Sequence, residues 1–287
     1  VPHTPILAID IGGTKTLAAL VEDAKVLASR RIETDRHGGA EAWLDALAVV
    51  IGEWRGQFAM AGAAVTGRIS NGRWSALNPA VLPVPDQFPL VEALERRLGV
   101  PVIAANDAQA AAWGEHRFGA GQGLDTVFLT VSTGVGGGLV LGGRLHTGRG
   151  GLAGHIGQIL TDPHEGSSRL EDIASGSALS RLADPHEIFA AAARGDAEAE
   201  EQIQKIAVPL FRAMRSLQLL LDPDCFVIGG GIGLAAGFIA RLRGLAQEIP
   251  PDYRPDIRAA ALGAEAGLIG IADLCKTQRT SASEVDR

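Results

Sequence analysis

Residues 6–21 read "ILAIDIGGTKTLAALV". A short apolar run ends at Asp10, two glycines follow, and a second apolar run begins at Leu17. Short β-prone runs that open into glycine turns are the pattern of buried strands leading into ligand loops. The stretch therefore predicts a strand, a polar Gly turn and a second strand. Gly12 and Gly13 lack a Cβ, so their amides can turn toward a phosphate. Thr14 adds a hydroxyl and Lys15 a cation. Asp10, at the strand end, can hold Mg²⁺ through water, because that ion keeps much of its hydration. The Walker pattern GxxxxGK[ST] is absent. A plain hairpin turn with a capping Asp uses the same residue types, so this motif alone leaves both readings open.

The same layout recurs. Residues 127–145, "VFLTVSTGVGGGLVLGGRL", again read strand, Gly turn, strand. A duplicated hairpin implies two related domains. Thr133, Gly134, Val135, Gly136, Gly137 and Gly138 are candidates for a second phosphate loop, able to close on one polyphosphate from the other side. A third cluster, "CFVIGGGIG" at 225–233, can pass a flat ring close to Gly229, Gly230 and Gly231, or simply cap a strand. Between these lies "VPVIAANDAQAAAWGEH" at 100–116, which sets Asn106 and Asp107 between an apolar strand and an Ala-rich helix. Either residue can be the helix N-cap. Alternatively, Asp107 is a carboxylate at a strand end, where open α/β sheets place their ligands, and accepts a hydroxyl proton.

Helices fill the intervals. Leu44, Leu47, Ile51 and Trp54 fall at helical spacing, as do Ile203, Ile206, Leu210, Met214, Leu217 and Leu221. Pro209 inside the second stripe predicts a kink or a fresh start. The small residues of "LGAEAGLIGIADL" at 262–274 predict close approach to another backbone, back on the first domain. Strands alternating with helices make the class α/β.

Composition narrows the function. With 46% hydrophobic residues in 287, the chain can bury a large core, and global disorder is excluded. A formal charge of −7 without a basic patch argues against nucleic acid as a partner. Cys225 and Cys275 form no CxxC, so neither a disulfide framework nor a zinc finger is expected, and a reducing compartment fits. The start shows no basic and apolar regions of a signal peptide, and no apolar run is long enough to span a membrane. A cytoplasmic location is the corresponding expectation.

Taken together, "LAIDIGGTK", "ALNP", "NDAQAAAW", "VSTGVGGG", "GGLAGHIG" and "IASG" resemble the ROK sugar-kinase family, within the hexokinase/actin-like superfamily. The similarity runs from the first glycine motif to the C-terminal helix. It implies two RNase H-like lobes with the active site in the cleft between them. The N-terminal lobe would take residues 1–115, completed by a helix at about 262–275; the C-terminal lobe 116–261; and 276–287 would be a polar tail. The implied activity is ATP-dependent phosphorylation of N-acetylmannosamine at the 6-hydroxyl, in sialic acid catabolism, by a homodimer. His155 stands where glucokinase-type members carry Glu, which favours this sugar. A glucokinase-like hexose kinase and a sugar-binding pseudokinase are the alternatives. By the same resemblance Asp107 is the base, while Gly67, Asn78, Asn106, His155 and Glu171 hold the sugar, with Arg68 a further candidate. Asp10 through Lys15 and the 133–138 loop hold the ATP phosphates with Mg²⁺, and Gly229 to Gly231 flank the adenosine. The family's regulators carry a DNA-binding module before the first Gly motif; with Asp10 so near the start, none is expected.

One departure is large. The family usually carries a structural zinc on one His and three Cys. Here "HEGSSRL" at 164–170 has no Cys and Gln158 replaces the ligand His. Four-coordinate zinc cannot be rebuilt from the remaining residues. No structural zinc is expected, and a shorter loop held by direct contacts should replace it.

Overall fold

The apolar run that opens the chain forms strand β1 (Ile6–Ile11), and the run after the glycine turn forms β2 (Lys15–Glu22). The two pair antiparallel, Ile11 opposite Thr16. Strand β3 (Lys25–Glu33) extends this meander, helix α1 (Gly39–Val50) follows, and the fully buried β4 (Ala61–Val65) returns parallel to β1. A small hairpin, β5 (Arg68–Ser70) with β6 (Arg73–Ser75), and helix α2 (Leu90–Leu98) precede β7 (Val102–Asn106), which lies parallel to β4. The sheet order is β3-β2-β1-β4-β7. Helix α3 (Asp107–Phe118) starts directly at the end of β7. The coordinates are a computed structural model that describes residues 4–13, 15–33, 38–77, 82–162 and 168–285.

The second half repeats the plan. Strands β8 (Thr126–Val131) and β9 (Val135–Leu141) form the second hairpin, and β10 (Arg144–His146) extends it. After a short pair, β11 (Leu160–Asp162) with β12 (Ser168–Arg169), come helices α4 (Leu170–Ala174), α5 (Gly176–Ser180), α6 (Pro185–Ala193) and α7 (Ala197–Leu221). Strand β13 (Cys225–Gly229), helix α8 (Phe238–Ala246) and strand β14 (Ile257–Ala259) complete a sheet of order β10-β9-β8-β13-β14. Both sheets therefore have an antiparallel meander on one side and three parallel strands on the other. The duplicated hairpin read from sequence is a duplicated five-stranded sheet. The last helix, α9 (Ala266–Val285), packs on β1 and β4 of the first sheet.

Chain packing divides the molecule into two compact units, 1–114 with 147–152 and 265–287, and 115–146 with 153–264. Each has its own apolar core. In the first, Leu44, Leu47, Ile51 and Trp54 are buried with Leu7, Ile9 and Trp74. In the second, Ile203, Ile206, Leu210 and Met214 of α7 are buried with Val127, Leu129 and Phe226. Pro209 does not restart the helix: α7 runs unbroken for 25 residues. A proline removes one backbone donor, and the apolar face buried on both sides of it holds the helix together. The Asp196 carboxylate caps its start by accepting the Ala199 N–H at 3.0 Å. Among the described residues no helix is long and apolar enough to cross a membrane.

The small residues of α9 do what their size suggested. A Cβ on Gly270 would lie 1.8 Å from the Ala110 carbonyl oxygen of α3, and one on Gly62 of β4 would lie 2.7 Å from Ile271 Cγ1. Backbone meets backbone there. The Trp113 indole N–H donates to Asp273 Oδ2 at 2.8 Å across the same contact. Gly270→Ala should force α9 away from α3, costing about 1–3 kcal/mol, the usual range for overpacking; a thermal melt should show a transition lowered by several degrees.

Candidate active site

Three parallel strands of the first unit end at one level. Ile11 is opposite Val65, and Val65 is opposite Asn106. The polar residues at those ends are Asp10, Thr66, Asn106 and Asp107, at the carboxyl edge where α/β sheets bind ligands. Asn106 is buried, and its amide is engaged on both sides. Its Oδ1 accepts the N–H groups of Ala108 at 3.0 Å and Gln109 at 3.1 Å, which is an N-cap. Its Nδ2 donates to the Gly67 carbonyl at 3.0 Å and to Asp107 Oδ1 at 2.8 Å. The choice between the two residues as cap is resolved: Asn106 caps α3. These bonds also give Asn106, read from the resemblance as a sugar contact, a positioning part.

Asp107 Oδ1 also accepts its neighbour's amide, Ala108 N–H, at 2.8 Å, and Oδ2 accepts the Thr66 hydroxyl at 3.0 Å. A carboxylate has about four acceptor positions, so Oδ2 keeps capacity for a ligand hydroxyl. Thr66 is held in turn, since the Trp74 indole N–H donates to its carbonyl at 2.9 Å. Gly67 has φ +117°, and a Cβ there would sit 2.6 Å from the Ser75 carbonyl oxygen, so no other residue fits. Arg68 starts β5, with Nη1 3.9 Å from where a Cβ on Gly150 would be. Thr14 and Asn78 lie outside the described residues.

Burial, then the charge of Asp107, raises the Asp10 carboxyl to about 7, against a lowering by Lys15. Two carboxylates in mutual repulsion, one of them desolvated, are a donor set that suits a divalent cation. Gly12 closes the turn beside them, its N–H donating to the Lys15 carbonyl at 3.0 Å.

In the second unit the glycine run divides by role. Ser132, Thr133 and Gly134 form the turn, and the Ser132 and Thr133 carbonyls accept the N–H groups of Gly176 at 2.7 Å and Ser177 at 3.1 Å. Val135, Gly136, Gly137 and Gly138, grouped with the phosphate loop in the sequence reading, lie within β9 in register with β8. A Cβ on Gly137 would stand 2.6 Å from Ile156 Cδ1 and 2.8 Å from the Gly154 carbonyl. Their smallness admits the segment that carries His155. That residue begins a short 3-10 turn over Ile156–Gln158, and Glu171 lies on the first turn of α4. Gln158 Nε2 donates to Glu171 Oε1 at 2.8 Å, so the two are brought together. Gly229 ends β13. A Cβ on Gly230, at φ +85°, would meet the Val131 carbonyl at 2.3 Å, while Gly231 faces open space.

Sequence reasoning passed over Thr66, Trp74 and Arg169. Thr66 carried a signal, since it is the polar residue directly after the apolar strand "AGAAV", as Asp107 is near the end of "VIAAN".

The sequence matches the ROK family over residues 6–278. The chain belongs to the ROK family. It is 47% identical over 283 residues to the Bifunctional enzyme NanE/NanK of Brucella melitensis biotype 1, an alignment that takes 96% of this chain and 55% of that protein. The chain thus spans about half the length of such bifunctional relatives. It is 41% identical to the N-acetylmannosamine kinase of Shigella flexneri, across 96% of this ROK chain and 99% of that one. Among solved structures, a ROK family glucokinase from Streptomyces griseus, crystallised with glucose and AMPPNP, superposes with a TM-score of 0.80 at 32% identity, over 94% of this chain and 98% of that chain. The two matching sheets are accordingly those of the two-lobed hexokinase/actin-like ATPase fold.

The Asp10 shift fixes a pH dependence. Its folded pKa lies above the unfolded value of 3.8, so the folded state favours the protonated acid. The contribution of Asp10 to stability should be fully present below about pH 4 and be lost as pH rises through about 7, a loss of about 4 kcal/mol for a change of this size. Without divalent cations, Asp10→Asn should therefore melt higher than wild type at pH 8 and equal to it at pH 4, as read by thermal melts across that range.

Proposed function

We propose that this ROK protein is an ATP-dependent sugar kinase that phosphorylates N-acetylmannosamine at its 6-hydroxyl. The observation that carries the reading is the held carboxylate of Asp107, at a strand end beside the raised Asp10 carboxyl. The names of relatives such as the Shigella flexneri N-acetylmannosamine kinase support the choice of sugar.

In this reading Asp107 Oδ2 receives the proton of the sugar 6-hydroxyl as that oxygen attacks the γ-phosphorus, whose bond to the β,γ-bridging oxygen breaks to release ADP. Thr66 and Asn106 keep the carboxylate aimed, and positioning is most of what phosphoryl transfer asks of a protein. Asp10 would hold Mg²⁺ through water, and the ion would supply neutralisation of phosphate charge. In the same reading Gly12, Gly13, Thr14 and Lys15 of the first unit and Thr133 and Gly134 of the second are the phosphate candidates, and Gly229 to Gly231 the adenosine candidates. The sugar contacts of this reading are Gly67, Asn78, Asn106, His155 and Glu171, with Arg68 a further candidate. A homodimer, a cytoplasmic location, a role in sialic acid catabolism and the absence of a structural zinc belong to the same reading.

A coupled ADP-release assay over a sugar panel tests it. N-acetylmannosamine should be turned over best; turnover of glucose alone would give the protein a glucokinase-like function instead. Asp107→Ala should lower kcat at least about 10²–10⁴-fold while sugar binding, followed by calorimetry, persists. Metal analysis of the purified protein should find zinc far below one per chain; a stoichiometric amount would overturn that part.

A further inference from the structure

We infer that Arg169 and Gln158 are positioning residues that anchor one oxygen of Glu171 and leave the other to the sugar. This rests on the reading of Glu171 as a sugar contact.

The carboxylate of Glu171 is divided between two tasks. Its Oε1 takes Gln158 Nε2 at 2.8 Å and lies 3.2 Å from Arg169 Nη1. Its Oε2 has no partner among the described residues, and it lies 3.3 Å from where a Cβ on Gly134 would be, so it faces the Thr133–Gly134 turn. The anchor is itself fixed. Arg169 Nε and Nη2 donate to the two oxygens of Asp172 at 3.0 and 2.9 Å, and the Arg169 backbone N–H donates to Asp172 Oδ2 at 3.0 Å. Its third nitrogen, Nη1, also reaches Gln158 Oε1 at 3.4 Å. A planar guanidinium held by a bidentate pair points its remaining N–H groups in one direction, which a lysine ammonium cannot do.

Gln158 connects this cluster to the other proposed sugar residue. Its backbone N–H donates to the His155 carbonyl at 3.0 Å, closing the 3-10 turn, while its side chain holds Glu171. A Cβ on Gly157, between them, would lie 2.0 Å from the Val135 carbonyl and 3.3 Å from Glu171 Cβ, so the turn is pressed against β9 and cannot drift. A glutamate side chain free to rotate would lose that freedom on binding sugar. Here the loss is already taken in the folded state, which favours affinity. An arginine, a glutamine and two acids thus hold one another at this place.

Steady-state kinetics of Arg169→Met, Glu171→Gln and the double variant test the inference. Arg169→Met should raise the sugar KM roughly 10- to 100-fold, the size of one charge-assisted hydrogen bond. The KM for ATP and kcat should stay within about threefold. In the Glu171→Gln background the same change should add less than about twofold, because the group it orients is already altered. Arg169→Lys should recover only part of the affinity. A merely structural arginine would instead lower the melting temperature and give effects that multiply with Glu171→Gln; that result, or an unchanged sugar KM in Arg169→Met, overturns the inference. If Glu171→Gln itself leaves the sugar KM unchanged, the reading of Glu171 has failed, and the inference with it. Should Arg169→Met fail to fold, Gln158→Leu provides the same comparison, with an expected rise in sugar KM of about threefold or more.

Discussion

Parallel registration of β1, β4 and β7 is the constraint on which the first unit's chemistry depends. It brings Ile11, Val65 and Asn106 to one level, so the residues at those strand ends are neighbours although they lie far apart in the chain. Asp10 then feels the charge of Asp107, and Thr66 can donate to the same carboxylate. Glycine packing maintains the registration from behind. Gly62, Gly114 and Gly270 let α9 lie directly on β4 and α3, leaving no room for a side chain between them. A buried carboxylate with a like charge beside it is costly, and the unit carries that cost at Asp10.

The second unit repeats the sheet and changes the chemistry. Its corresponding strands end in Ser132, Thr133 and Gly134 and in Gly229 and Gly230, with hydroxyls and bare backbone where the first unit has acids. One plan thus carries two chemistries, carboxylates at the strand ends of one copy and hydroxyls with bare backbone at those of the other. The glycines of the second copy serve two ends. Gly231 leaves open surface, whereas Gly137 and Gly230 allow one backbone to lie against another. Gly137 admits Ile156 and the Gly154 carbonyl, and so makes room for the segment that carries His155.

Sequence by itself determined the α/β class, the duplicated hairpins, the strand-end acids Asp10 and Asp107, and membership of the ROK family. These are local properties: apolar runs of strand length, glycine turns and motifs of a few adjacent residues, each legible within its own window. Tertiary structure decided what those windows cannot contain. Thr66 meets Asp107 across 41 positions, and Gln158 meets Glu171 across 13, with no periodic pattern joining either pair. Asn106 and Asp107 compete for one cap in the sequence, and the place of Gly67, just past the end of neighbouring β4, fixes the Asn106 amide so that its Oδ1 takes the cap. Pro209 predicted a kink or a fresh start by its missing donor; burial on both sides of it, a sum over many distant contacts, kept α7 one continuous helix. Side-chain bonds across such separations depend on the strand register and helix packing that a linear reading leaves unassigned.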